Sequence, residues 1–390
     1  MMESNFIQDI SALKKLPKSW NVFDFGNVFT DISGGNKKFL KSDFLVEGKI
    51  AIIDQGKDLI AGYTNEENEI VKGQPPYIVF GDHTRIFKFI DFPFVMGADG
   101  TKVFKVKDFT ISNEKYLFHF LNSLNIPNTG YNRHFKYLKS TKIPLPPLPQ
   151  QQKIANILDA AVTLKQNDKA LIAKYDALTQ ALFLEMFGDP VSNPKGWEMK
   201  SLNDLCNKIT DGTHDTPKRL TEGVKFITGK HIRPFEIDYE NSDYVTQEVH
   251  NEIYRRCNPE YGDILYTNIG VNFATAAMNT VDYEFSMKNV ALLKYKRESL
   301  NGRFLESILN DEFFKDRLKR SFGIGGAQQF LSLSNIKSIN ILCPNLELQN
   351  QFAARVALIE QQKAIAQKSL EKSEALCNSL LQKAFNGGLT

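Results

Sequence analysis

The sequence predicts an α+β protein built from one plan used twice. Two strand-rich domains are each followed by a long helix, and the two helices pair as an antiparallel coiled coil. Three observations predict this: an internal repeat that runs without a gap, two long helical stripes of apolar residues, and short β-rich segments closed by turns between the repeated parts.

The repeat fixes the domain plan, because a duplicated unit repeats its contacts. Lys139 to Phe187 match Lys337 to Phe385 at a constant 198-residue offset, through Lys139/Lys337, Ser140/Ser338, Ile143/Ile341, Pro146/Pro344, Leu148/Leu346, Gln151/Gln349, Ala155/Ala353, Leu178/Leu376, Leu182/Leu380 and Phe187/Phe385. A second echo pairs Leu16-Pro17-Lys18-Ser19-Trp20 with Asn193-Pro194-Lys195-Gly196-Trp197 at an offset of 177, so the intervening stretch is about 21 residues longer in the second half. The halves share their edges but not their middles. The plan divides at 1–145, 146–189, 190–343 and 344–390.

In the first middle, Gly48 to Ile53 and Pro76 to Phe80 read as strands and Asn113 to Leu124 as a helix; in the second, Asp263 to Tyr266 is a strand and Leu300 to Ser321 is helical. Pro144, Pro146, Pro147 and Pro149 then hold the chain extended and forbid helix before Gln150. Beyond it, Ile154, Ile157, Ala161, Leu164, Leu171, Tyr175, Leu178 and Leu182 alternate three and four residues apart, the apolar seam of a coiled coil, with Asp168 as the polar intruder. Phe352, Val356, Ile359, Ala366, Leu370, Cys377, Leu380 and Ala384 give the second helix a looser stripe. Gly188 and Gly387-Gly388 stand where helices end. At about 37 residues each helix reaches on the order of 55 Å. A helix of that length cannot hide its seam inside one domain, which favours mutual pairing.

Composition narrows the class. With 42% hydrophobic residues, 24% charged and a net charge of +3 among 390 residues, the chain is ordinary globular material. No apolar run nears the roughly 18 residues of a membrane span, and Met1 to Phe6 lacks a secretory pattern, so a cytoplasmic protein is expected. Cys206, Cys257, Cys343 and Cys377 are far apart and the six histidines show no ligand spacing. Neither a disulfide framework nor a metal site is indicated. Such a small charge surplus hints at polyanions without showing one.

Catalytic signals are set aside one by one. Gln74-Pro75-Pro76-Tyr77 resembles an amino-methyltransferase element, but glutamine is a methylene too long and no strand, Gly-rich turn and ribose-binding acid precede it. It reads as a turn entering a strand. Phe322 to Gly326 follows a charged helical stretch and reads as a loop. Gly229-Lys230-His231 lacks the rest of a phosphate loop, and Glu47-Gly48-Lys49 is a chance-length match to a metal-nuclease pattern. No active site is read.

The ordered set of features resembles the specificity (S) subunit of type I restriction-modification systems. The likeness rests on the duplicated lead-ins Ile143 to Gln151 and Ile341 to Gln349 with their helices, on Pro-Lys-x-Trp at Trp20 and Trp197, and on Asp211-Gly212-Thr213-His214 and Gly262-Asp263-Ile264-Leu265. Pro76 to Arg85 and Gly97-Ala98-Asp99-Gly100 carry it in the first middle. The second lead-in keeps only Pro344 of the four prolines.

The resemblance implies that the middles are DNA target-recognition domains, each binding half of an asymmetric, split sequence in double-stranded DNA. The paired helices would be a ruler for the unread spacer and would dock two modification (methyltransferase) subunits with near two-fold symmetry. Those partners would hold S-adenosylmethionine and do the chemistry, restriction subunits would join them, and this chain would bind no cofactor. Half-sites a helical turn apart, about 34 to 36 Å, suit such a spacer.

Reading bases takes forked or amide side chains, and gripping phosphates takes basic ones. The candidates in polar turns beside strands are Gln55, Tyr63, His83, Arg85, Lys102, Arg133 and His134, then Thr213, His214, Lys230, Arg233, Asn268, Asn272, Lys288, Gln328 and Gln329. Each competes with the plain role of a solvated loop residue, and Asp82 and Asp211 read as turn braces. For helix pairing and partner docking the candidates are Ile154, Ile157, Leu164, Leu171, Tyr175, Leu178, Leu182, Phe352, Val356, Ile359, Leu370 and Leu380. Two other readings compete: a single-chain methyltransferase or nuclease, as in fused systems, and a coiled-coil adaptor whose middles bind protein.

Overall fold

The computed structural model describes residues 16–97, 100–130, 132–270, 272–324 and 329–389. The Met1 to Phe6 stretch, Ala98-Asp99, Tyr131, Gly325-Gly326, Ala327 and Gln328 lie outside the described residues. The chain forms two compact units, one of residues up to Ala170 together with those from Ala366 on, the other of Leu171–Ile365.

In the first unit, β1 (Asn21–Asp24), α1 (Phe25–Val28), β2 (Phe29–Asp31), β3 (Lys38–Phe39), β4 (Ile50–Ile53), β5 (Gly62–Thr64), β6 (Tyr77–Gly81), β7 (Phe87–Ile90), β8 (Phe94–Gly97) and β9 (Thr101–Val106) precede α2 (Glu114–Ser123), α3 (Phe135–Lys139) and β10 (Lys142–Leu145). An antiparallel sheet has the order β2-β9-β6-β7, and a mixed sheet the order β3-β8-β4-β5 with β4 parallel to β8. The continuous apolar run of β6 is buried along its whole length, which is why it shows no polar alternation. β1 pairs with β10 and closes the domain on itself.

The second unit follows the same outline with extra elements. β11 (Met199–Ser201), α5 (Leu202–Leu205), β12 (Cys206–Asp211), β13 (Val224–Thr228), β14 (Ile232–Arg233), β15 (Glu236–Ile237), β16 (Asp243–Val245), α6 (Gln247–Arg256), β17 (Ile264–Thr267), β18 (Ala276–Met278), β19 (Ser286–Lys288) and β20 (Val290–Tyr295) precede α7 (Gly302–Asn310), α8 (Glu312–Ser321), α9 (Leu333–Ser338) and β21 (Asn340–Leu342). Its sheets run β12-β20-β17-β18 and β16-β13-β19, the latter with β13 parallel to β19, and β11 pairs with β21. The middles therefore share a four-stranded antiparallel sheet and a parallel strand pair that their sequences conceal, because an apolar strand can be spelled many ways. Asp311 divides the expected Leu300 to Ser321 helix in two: it ends α7 and its carboxylate accepts the Phe314 N–H of α8 at 2.8 Å.

The long helices are α4 (Leu148–Phe187) and α10 (Leu346–Phe385), 40 residues each. α4 starts two residues before the expected Gln150. Pro149 sits in its first turn, where a missing N–H costs nothing. Trp197 donates from Nε1 to the last carbonyl of α4, that of Phe187, at 2.8 Å, while Gly188 and Gly387 take the left-handed conformation that ends each helix. In the first unit Gln150 meets the Leu389 carbonyl and Asp168 meets Ser369, so α4 and α10 run in opposite directions there.

The buried row of α10 is the expected one, with Phe352, Val356, Ala366, Leu370, Cys377 and Ala384 buried and Ile359 and Leu380 partly so. That of α4 keeps Ile154, Ala161, Tyr175 and Leu182 as expected but moves every second position one residue on, to 158, 165, 172 and 179. Ile154, Leu158, Ala161 and Asp168 are buried and Ile172, Tyr175, Thr179 and Leu182 partly buried, whereas Leu164, Leu171 and Leu178 are 44%, 40% and 49% exposed. Ile157, half-buried, also stands one residue before the row. The leucine spacing points to the neighbouring face because the row admits the half-buried Lys165 and Thr179, the latter donating its hydroxyl to the Tyr175 carbonyl at 3.2 Å. The corrected row of α4 falls on that of α10 at the same 198-residue offset: 154/352, 158/356, 161/359, 168/366, 172/370 and onward.

Candidate nucleic-acid interface

In the first unit, turns from both sheets converge on one tip. Gln55, just past β4, accepts the His83 N–H on its side-chain oxygen at 3.2 Å, and its carbonyl accepts the Thr84 hydroxyl at 2.6 Å. The His83 ring meets the Asn132 carbonyl at 3.2 Å, and the Asp82 N–H donates to Gly100 at 2.7 Å. A side chain at Gly100, whose φ is +92°, would stand 2.8 Å from the His83 ring and 2.9 Å from the Gln55 oxygen, so only glycine lets these turns meet.

Around this tip, Arg85 holds a left-handed conformation and donates to the Ile126 carbonyl at 3.1 Å. Lys102 pairs with Asp31 at 3.5 Å and lies over the Phe135 ring, Arg133 is exposed, and Tyr63 is half-buried against the core of the mixed sheet. His134 departs from expectation. It is fully buried, with Nδ1 donating to the Asp82 carbonyl at 2.8 Å, and braces the turn instead of facing a ligand. The Asp82 carboxylate accepts the Phe135 N–H at 2.6 Å, a turn brace as expected.

The second unit gathers a different set. Thr213 is pinned by its N–H to Met287 and its carbonyl from Asn289, and a side chain at Gly212 would collide with the Met287 carbonyl. His214 is held between Asp211, 2.8 Å from Nε2, and the Asn289 side chain, 2.9 Å from Nδ1. Beside them opens a cavity of about 340 Å³ lined by Arg219, Thr228, Lys230, Asn272, Lys288 and Asn289, with Gly229, Ile269 and Gly270 in its walls. Asn272 fastens the wall by donating to the Gly229 and Ile232 carbonyls at 3.1 and 2.9 Å. Lys288 donates to the Thr216 hydroxyl.

Sequence reasoning thus named Lys230, Asn272 and Lys288 but missed Arg219, Thr228 and Asn289. Asn289 carried a signal, since its left-handed φ of 53° marks the tight turn between β19 and β20 that the Lys-Asn-Val spelling allows. Arg219 carried none. Arg233 lies away on the β14–β15 hairpin with Glu236 and Asp238, and Gln329 is half-buried in the loop whose Phe330 bridges to Ile269. Asn268 is corrected: only 1% exposed, it offers its carbonyl to the Leu331 N–H at 2.8 Å and cannot present its amide to a base.

Among the described residues no cluster of His, Cys, Asp and Glu could hold a metal ion, and no helix is long and apolar enough to cross a membrane. All four cysteines are unpaired, and burial pushes the Cys206 and Cys257 thiols up to about 12. What the two tips offer is amide, imidazole and cationic side chains on fixed turns, the chemistry of base edges and phosphates.

The model of one protein family, the type I restriction modification DNA specificity domain, matches residues 17–174 and again 194–374. The chain is 24% identical over 270 residues to the type I restriction enzyme MjaVIII specificity subunit of Methanocaldococcus jannaschii, covering 65% of this chain and 63% of that protein. It is 22% identical over 320 residues to the EcoBI specificity subunit of Escherichia coli, covering 71% and 66%. In both cases just under two thirds of the relative's length is spanned. Among solved structures, the S subunit of a type I restriction-modification system from M. genitalium shares the fold with a TM-score of 0.61 at 18% identity, covering 95% of this chain and 98% of that one. A chain from a study of assembly and conformational transition of a type I system has a TM-score of 0.53 at 17% identity, covering 96% and 99%.

Proposed function

The chain belongs to the type I restriction modification DNA specificity family, and from that membership we propose that it is the non-catalytic subunit that directs such a system to its DNA sequence. The domains at 1–145 and 190–343 each read one half of a bipartite, asymmetric target in double-stranded DNA. The helices at 146–189 and 344–390 pair as an antiparallel coiled coil, relate the halves by a pseudo-two-fold, set the unread spacer and dock two methyltransferase subunits. Restriction subunits complete the complex, S-adenosylmethionine belongs to the methyltransferase subunits, and the assembly works in the cytoplasm against foreign DNA.

The observation that carries this reading is a frame repeated at a constant 198-residue offset around two middles that share a four-stranded antiparallel sheet and whose tips carry different side chains. A repeated frame offers the same docking surface twice to copies of one partner. Unlike tips read unlike words. The exposed Leu164, Leu171 and Leu178 of α4 and Leu358 and Ile365 of α10 support partner docking, being apolar surface that water disfavours.

The test is the genomic methylation pattern of the host with and without this gene. Loss of one bipartite motif is expected; an unchanged pattern would contradict the proposal. Label transferred to DNA by the purified chain alone would favour the single-chain enzyme instead.

A further inference from the structure

We propose that the cavity of the second unit is a socket for one phosphate of the DNA backbone, and that Asp243 is its resident stand-in until DNA arrives. This rests on the DNA reading above and goes further by separating a phosphate grip from the residues that read bases. Three cations face the space, Arg219, Lys230 and Lys288, and one carboxylate serves two of them. Asp243 sits 2.7 Å from the Arg219 guanidinium and 3.1 Å from the Lys230 ammonium. Its place is set by the β16–β13 pairing opposite Phe226, whereas the side chains of Arg219 and Lys230 are 43% and 55% exposed. The cations are thus the movable partners.

Lys288 binds a neutral hydroxyl, that of Thr216, and brings a third positive charge to the same space. Gly229 and Gly270 leave the walls without side chains, so a sugar-phosphate strand can come close to the backbone. Ion pairs this exposed are weak in water. A phosphate that accepts a forked guanidinium and two ammonium groups makes stronger, charge-assisted bonds and displaces the carboxylate from them. Such a grip carries no sequence information, so Arg219 and Lys288 set register while Asn272 and Asn289 only shape the socket.

The experiment measures binding of the full chain to two labelled duplexes, one carrying the motif found in the host's methylation pattern and one shuffled, over a series of salt concentrations. Arg219→Ala and Lys288→Ala should each weaken both duplexes by the same factor, roughly 5- to 20-fold, and lower the log–log salt slope by about 1. Arg219→Lys should keep most of the slope. Asp243→Asn should tighten both duplexes by about 2- to 5-fold, the worth of an exposed ion pair set free. The proposal is overturned if Arg219→Ala changes the preference between duplexes at unchanged slope, or if Asp243→Asn binds no tighter while keeping the wild-type circular dichroism. A wild-type chain that binds neither duplex would overturn the DNA reading itself, an outcome distinct from any variant effect.

Discussion

Gln151 and Gln349 hold the same three backbone groups in their two units. The Gln151 side-chain oxygen accepts the Asn113 N–H at 2.8 Å while its amide donates to the Ile111 and Pro146 carbonyls, both at 2.8 Å. Gln349 accepts the Asn301 N–H at 2.8 Å and donates to the Ser299 and Pro344 carbonyls at 3.2 and 2.8 Å. Each glutamine is fully buried and locks the lead-in of its long helix to the N-cap of the helix that backs its sheet. This is the repeat expressed as bonds.

A carboxylate at either position keeps the acceptor but loses both donors, leaving two buried carbonyls facing a charge. Gln151→Glu should destabilise its unit by about 3 kcal/mol or more. Hydrogen exchange should quicken in residues 111–121 and stay unchanged in 299–308, with the converse for Gln349→Glu. Equal loosening of both regions by one substitution would contradict the paired locks.

The displaced row of α4 separates neighbours in sequence. Leu158→Ala should cost about 2–5 kcal/mol in urea unfolding, whereas Leu164→Ala and Leu171→Ala should stay within about 0.5 kcal/mol. On the docking proposal, Leu171→Lys should release co-purifying methyltransferase subunits without lowering the chain's own stability. A Leu164→Ala loss as large as that of Leu158→Ala would show that the row has been drawn on the wrong face.

Asp168 is buried in that row, with one oxygen accepting from Ser369 at 3.0 Å and the other without a partner among the described residues. A buried carboxylate so poorly matched opposes folding. The repeat itself supplies the remedy, since alanine stands at the corresponding Ala366. Asp168→Ala should raise stability by about 1–2 kcal/mol; a loss of similar size would mean that the carboxylate has a further partner.

Burial pushes the Glu306 carboxyl up to about 7, although Arg303 at 2.6 Å and the Met278 N–H at 2.9 Å both draw it down. The folded protein therefore holds this proton more tightly than the unfolded chain. The stability it contributes is complete below about pH 4.5 and is lost as pH rises to about 7, on the order of 3 kcal/mol. The advantage of the wild type over Glu306→Gln should shrink across that window in melts from pH 4.5 to 8. A difference that does not change with pH would refute it.

The frame was legible because its pattern is periodic and duplicated: the lead-ins, the helix-ending glycines and the α10 row follow from spacing alone. The α4 row was only half legible, because leucines kept on an exposed face imitate a buried seam and Lys165 and Thr179 disguise the real one. Shared sheet topology was hidden for a related reason, since strand pairing fixes which side chains face inward but not their identity. At the tips, residue type alone drew His134 and Asn268 into the candidate set, though tertiary packing buries both. Arg219 escaped because only folding carries its loop to Lys230 and Asp243.

The most direct test of the central claim is to replace residues 1–142 with the matching segment of another family member and read the host's methylated sequences. One half of the bipartite motif should change while the other half stays as it was. A motif altered in both halves, or in neither, would contradict the assignment of one reading domain to each half.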